Sequence, residues 1–178
     1  MLKQRKGNKN MWYVLWTNEG KEIKTKSNIL NHVEPSLFNR VAVPRKKKRH
    51  FFQGESKIVT LLLFPSYVFV ESNRIKDLVD VVEWFPGKNQ ILQIDDFYCP
   101  ISDNDIFLLD NLMNDNDVID ISEGYMENGT VTVTKGPLKG YEKYIKKITR
   151  RCSVAILSMN LFNKTVEYSL GLDILGDK

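Results

Sequence analysis

The side chains able to ligate a metal or act as nucleophiles are few and scattered: Cys99, Cys152, His32 and His50. No Cys-x-x-Cys pair occurs, and these spacings draw no four-ligand zinc site. Two lone thiols with no secretory pattern fit a reducing, cytoplasmic setting, in which both cysteines are expected to be small buried side chains. Carboxylates are denser, since residues 95–127 hold ten acidic side chains and no basic one. An acid–base pair needs rigid elements lining a cleft, whereas these carboxylates lie in loop-like text rich in Asn and Asp. Glycine-rich phosphate loops, H-E-x-x-H and G-x-S-x-G are absent. The reading is therefore a protein that is not an enzyme, with no catalytic residue, metal or cofactor.

What remains is charge and aromatic surface. Arg45-Lys46-Lys47-Lys48-Arg49 runs directly into His50, Phe51 and Phe52. Such a run is either a solvated hairpin or a contact to DNA phosphates or protein, with the aromatics placed to stack on an unpaired base. Lys21, Lys24 and Lys26 carry a weaker version of the same alternatives. A second basic stretch holds Lys135, Lys139, Lys143, Lys146, Lys147, Arg150 and Arg151 against Glu142 alone. That density suits RNA, because each phosphate neutralised steepens the salt dependence of binding. A solvated surface is the alternative. Trp16, Phe64, Tyr67 and Phe69 are either core residues or the desolvated anchors of a protein interface.

The elements that must position these groups follow from periodicity. The chain has 178 residues, 42% hydrophobic and 27% charged, an ordinary globular composition for one or two domains. Its longest apolar run, Ile101–Met113, is broken by charge and too short to span a bilayer. Residues 1–10 are basic and lack an apolar stretch, which predicts a disordered tail. Trp12–Trp16 predicts a central strand, apolar on both faces. Ile23, Leu30 and Val33 predict the buried face of a helix ending before Pro35. Arg40–Pro44 and Ile58–Leu63 predict the arms of a long hairpin with the basic run at its tip. Leu63–Glu71 predicts another strand. Asn73 is expected to cap a helix built on Ile75, Leu78, Val79 and Val82. Ile91–Ile94 predicts a short strand, and Ser102 with Asp105 a capping box opening a last helix. Beyond Asn114–Asp117 the period changes to the alternation of Gly129–Thr134, followed by short strands at Tyr144–Ile148, Val154–Met159 and Val166–Leu170. The expected class is α+β: an α/β sandwich with an antiparallel sheet over residues 11–113, an acidic linker over 114–123, and a small all-β barrel over 124–178. Net charge is +4. By sequence it divides into a basic block before residue 95, the acidic block, and a basic block after 127.

Two segments carry a specific resemblance. Leu63-Phe64-Pro65-Ser66-Tyr67-Val68-Phe69-Val70-Glu71 resembles the F-P-G-Y strand of NusG-type amino-terminal domains, and Trp12-Tyr13-Val14 opens the chain as those domains do. Gly129–Tyr141 resembles the KOW motif. Ser66 replaces the usual Gly, and Lys143 stands where the motif usually has Gly. Residues 157–166 are similar to the carboxy-terminal module of RfaH, and the basic hairpin and KOW module resemble most the LoaP group of antiterminators. The resemblance implies docking on the clamp helices of the largest RNA polymerase subunit through Trp16, Phe64, Pro65, Tyr67 and Phe69. It further implies operon-specific antitermination, with a leader RNA hairpin held by the seven KOW cations, Lys143 foremost. Contact of Arg45, Lys46, Lys47, Lys48 and Arg49 with non-template DNA or polymerase belongs to the same reading. Phe162 matches a position that contacts a small-subunit ribosomal protein, and a core role fits it equally. A stable β-domain, a cytoplasmic monomer and no membrane partner are expected. The alternatives are a general NusG-like factor whose KOW domain binds a ribosomal or termination protein, and an RNA- or ribosome-associated KOW module without polymerase contact.

Overall fold

Aromatic and β-branched side chains on both faces make Met11–Thr17 (β1) an inner strand. It pairs antiparallel with Tyr67–Ser72 (β5) on one side and Asn89–Ile91 (β6) on the other. The computed structural model describes residues 11–94, 96–161 and 164–177. The expected tail over residues 1–10 and the expected contact at Phe162 lie outside the described residues. The chain forms two compact units: the described residues up to Val43 with Pro65–Ile101, and Pro44–Phe64 with the residues from Ser102 onward.

In the first unit the elements run β1, Glu22–His32 (α1), Arg40–Ala42 (β2), then β5, Ile75–Val82 (α2) and β6. The antiparallel sheet has the order β2-β5-β1-β6. Helix α1 departs from its expected face. Ile23 and Leu30 are exposed, whereas Glu22, Thr25, Ile29 and Val33 are buried. Polar groups can be buried here because each is partnered. The Glu22 carboxylate accepts the Ser66 N–H at 2.7 Å. The Thr25 hydroxyl lies 3.0 Å from that of Thr17, which donates to Asn89 Oδ1 at 3.0 Å. Helix α2 forms on Leu78, Val79 and Val82 as expected. Its entry is shaped by the Ser72 hydroxyl, which accepts the Arg74 N–H, rather than by an Asn73 cap.

In the second unit the basic run is itself a strand, Arg45–Phe52 (β3), paired residue for residue with Glu55–Leu62 (β4) from Arg45↔Leu62 to Phe52↔Glu55. The tip is Gln53-Gly54, with the positive φ values that a tight turn requires, so the cations lie along one arm rather than at the end. The capping box opens Asp103–Leu112 (α3), where the Ser102 hydroxyl accepts the Asp105 N–H.

Residues 114–123, expected to be a linker, are ordered. The Asn114 side chain accepts the N–H groups of Asn116 and Val118, an Asx turn. Val118–Ile119 (β9) then adds a short strand parallel to β3, and Ser122 already begins the next one.

Two short strands close the first unit, Gln93–Ile94 (β7) and Phe97–Tyr98 (β8). The carboxy-terminal β-domain is a five-stranded sheet of Ser122–Glu127 (β10), Thr130–Lys135 (β11), Lys147–Thr149 (β12), Val154–Leu161 (β13) and Lys164–Asp177 (β14), in the order β11-β10-β14-β13-β12. Val133, Leu138, Val154, Leu157, Met159, Tyr168, Leu170 and Leu172 fill its core. Part of the strand expected at Tyr144–Ile148 is instead a 3-10 turn over Glu142–Tyr144. The α+β class is as expected.

Candidate protein and nucleic-acid interfaces

The aromatic group divides by burial. Phe69 is fully buried, and Phe64 is buried with its ring 5.6 Å from Tyr168 in an edge-to-face arrangement. Both fall to the core reading and offer no surface to a partner, which corrects their assignment as docking anchors. Tyr67 and Trp16 are half-buried and face each other across the β1–β5 pair, and Pro65 is exposed. These three remain as an aromatic edge at one end of the sheet. Ser66 between them has φ +68°, a left-handed conformation that favours glycine. That accounts for the glycine usual in the motif it departs from. The buried Glu22 carboxylate holds the turn through the Ser66 N–H.

Most cations of β3 have partners within the second unit. Arg49 makes a bidentate contact with Asp173, at 2.6 Å from Nη2 and 3.0 Å from Nε to Oδ2. Those hydrogen bonds, and the charge of Asp173, raise the Arg49 pKa further. Lys47 pairs with Asp120 at 2.6 Å, Lys46 donates to the Ser169 hydroxyl at 2.9 Å, and Arg45 donates to the Asn116 carbonyl at 2.7 Å. Burial, reinforced by the charge of Lys48, lowers the Lys46 pKa. Only Lys48 of the five lacks a hydrogen bond or ion pair among the described residues. The hairpin is thus fastened to the β-domain by its own cations. The sequence could not reveal this, because the partners lie 71 to 124 positions away.

The seven cations of the β-domain behave differently. All of them are exposed. Lys135 stands 4.0 Å from Glu123, and Glu142 turns its carboxylate to the Val133 N–H at 3.3 Å. Lys143 lies on the short 3-10 turn with its ammonium 5.0 Å from the Tyr144 ring. Lys143, Lys146 and Lys147 line an open hollow of about 490 Å³ together with Glu142, Thr130 and the apolar Val131, Ile145 and Ile148. Cations over an apolar floor can hold phosphate while a base or sugar covers the floor.

Cys152, expected to be buried, is exposed in the turn Arg150–Cys152, and Cys99 is half-buried. Among the described residues no three His, Cys, Asp or Glu side chains are placed to hold a metal. No described helix is long and apolar enough to cross a membrane.

The chain is similar to known proteins over most of its length. The family model described as "Transcription termination factor nusG" matches residues 10–110. The chain is 24% identical to the transcription termination/antitermination protein NusG of Rickettsia prowazekii, over 97% of this chain and 93% of that one. It is 37% identical to the Bacillus subtilis protein of the same name, over 43% of this chain and 45% of that one. Among solved structures it resembles one described as "Domain interaction in Thermotoga maritima NusG", with a TM-score of 0.53 and 20% identity, covering 93% of this chain and 96% of the other.

Proposed function

The chain belongs to the NusG family of transcription termination and antitermination factors, and from that premise we propose that it is an operon-specific, non-enzymatic antiterminator of the LoaP type. It binds elongating RNA polymerase through the aromatic edge of Trp16, Tyr67 and Pro65, on the clamp helices of the largest subunit. By favouring one polymerase state over another it shifts the population away from states that pause and terminate. Recruitment is aided by a leader RNA hairpin held on the β-domain.

The single observation that carries the RNA part is the exposure of all seven cations over residues 135–151. The β3 cations, in contrast, are mostly consumed by internal partners. The DNA-contact reading for Arg45–Arg49 accordingly has less support. Cytoplasmic location as a monomer belongs to the same reading, and a ribosomal protein partner is the alternative for the β-domain. The test is a gel shift of the full chain against the leader RNA of its neighbouring operon, with a scrambled hairpin and a salt series. Lys143→Ala with Lys146→Ala and Lys147→Ala should weaken the intact hairpin at least tenfold and weaken the scrambled RNA too, since both carry the phosphates these lysines engage. Equal affinity for both RNAs, or indifference to the triple substitution, would favour the protein-binding alternative.

A further inference from the structure

The outer part of β3 and the turn Arg150–Cys152, both in the second unit, line a hollow of about 320 Å³ formed by Lys48, Arg49, His50, Phe51, Arg151 and Cys152. Two basic segments that lie about a hundred positions apart in the sequence meet here. The lining holds three fixed cations and a histidine and no carboxylate. Arg49 is anchored by Asp173, so it fixes the wall, while Lys48 and Arg151 are left for a ligand. Phe51, which lines the hollow, is 54% exposed, so its ring is open to a ligand.

Cations alone would suit any polyanion. Cations beside an exposed aromatic ring suit one whose charged groups alternate with flat apolar faces, as phosphates alternate with bases in an unpaired strand. A duplex keeps its bases stacked inside and gives such a ring nothing to cover. We propose that this hollow is a binding site for a single-stranded nucleic-acid segment, with Lys48 and Arg151 on phosphates and Phe51 under a base. It rests on the RNA reading above and extends it, since Arg151 closes the basic stretch assigned to the hairpin. The strand leaving a hairpin would pass from the β-domain onto β3.

Cys152 lines the hollow and is exposed, which supplies a reporter. In the full chain carrying Cys99→Ser, maleimide labelling of Cys152 is followed with a ten-nucleotide oligouridylate, an oligodeoxythymidylate of the same length, and poly-glutamate. The oligouridylate should slow labelling, and Lys48→Ala with Phe51→Ala should weaken its binding roughly tenfold, the scale of one stacked base and one phosphate. Both substituted side chains lack internal ion pairs, so the variant should keep its thermal melt and its affinity for the leader hairpin. Slowing by either oligonucleotide supports the site, and a preference for uridylate assigns the strand to the transcript. Poly-glutamate that protects Cys152 equally, or affinity unchanged in the double variant, overturns the proposal. If the hairpin binds and the oligouridylate does not, this inference fails while the RNA reading stands. If the oligouridylate binds through Lys48 and Phe51 while no hairpin is recognised, the site stands and the hairpin-recruitment reading fails.

Discussion

At the scale of the residue, Tyr67 and Phe69 are two positions apart on one strand face and differ completely in environment. Phe69 pairs with Val14 and is sealed, while Tyr67 pairs with Trp16 at the sheet end and is half-buried. A carboxylate at Phe69 would be an unpaired charge in the core, a cost of several kcal/mol that a domain of ordinary stability does not survive. Phe69→Asp should therefore abolish the cooperative melt of the first unit. Tyr67→Asp should keep that melt and weaken association with core RNA polymerase at least about 30-fold, the loss of one interface anchor. Circular dichroism melts with polymerase binding by fluorescence separate the two. A folded Phe69→Asp variant would refute the burial argument, and a binding-competent Tyr67→Asp variant would remove the aromatic edge from the docking surface. Ionisation of Tyr168 offers a second reading of burial at this scale. Its hydroxyl is held neutral well above the ordinary tyrosine pKa by desolvation and by the charge of Asp105. A phenol whose folded pKa is raised stabilises the fold fully below pH about 10 and loses that contribution as pH climbs further. Stability should fall above pH 10, and Tyr168→Phe should flatten that fall in urea melts taken between pH 9 and pH 11.

At the scale of the element, the hairpin lies against β14 because Gly171 has no side chain. A Cβ there would meet the Lys47 carbonyl oxygen at 2.8 Å and Ile121 Cγ1 at 2.8 Å. The first of these is backbone and cannot swing aside. Gly171→Ala should cost about 1–3 kcal/mol, as overpacking does, and should speed amide exchange along β3 more than along β1. Uniform exchange would mean that the hairpin is not held there. The same elements mark where the sequence was legible. The central strand β1, helix α2, the capping box of α3 and the alternation of β11 were readable, since each depends on neighbours within a few positions. The buried face of α1 was not, because Glu22 and Thr25 are buried by partners at Ser66, Thr17 and Asn89 rather than by their own hydrophobicity. Five consecutive cations did not read as a strand for a related reason. Strand propensity rewards β-branched and aromatic side chains, whereas β3 is made tolerable by Asp120, Ser169 and Asp173.

At the scale of the whole molecule, the blocks of charge seen in the sequence do not survive folding as blocks. The acidic segment, expected to be a linker, sends Asp120 to Lys47 and its Val118–Ile119 strand to β3. In this way part of the basic block before residue 95 is neutralised, while the seven cations of the β-domain stay exposed. This distinction is measurable, because counterions are released only by cations that a nucleic acid engages. Lys47→Ala with Arg49→Ala removes two cations that already have protein partners. It should lower the thermal midpoint by several degrees, on the scale of about 1 kcal/mol for a bidentate, half-shielded pair, and leave the slope of log affinity against log salt unchanged. Lys143→Ala with Lys146→Ala and Lys147→Ala removes three exposed cations. It should leave the midpoint in place and flatten that slope by about two to three units. Salt series on both variants, each beside its own melt, decide the matter. A slope that falls with the β3 pair would make the hairpin cations ligands rather than fasteners. A slope indifferent to the β-domain triple would move the nucleic acid off that surface altogether.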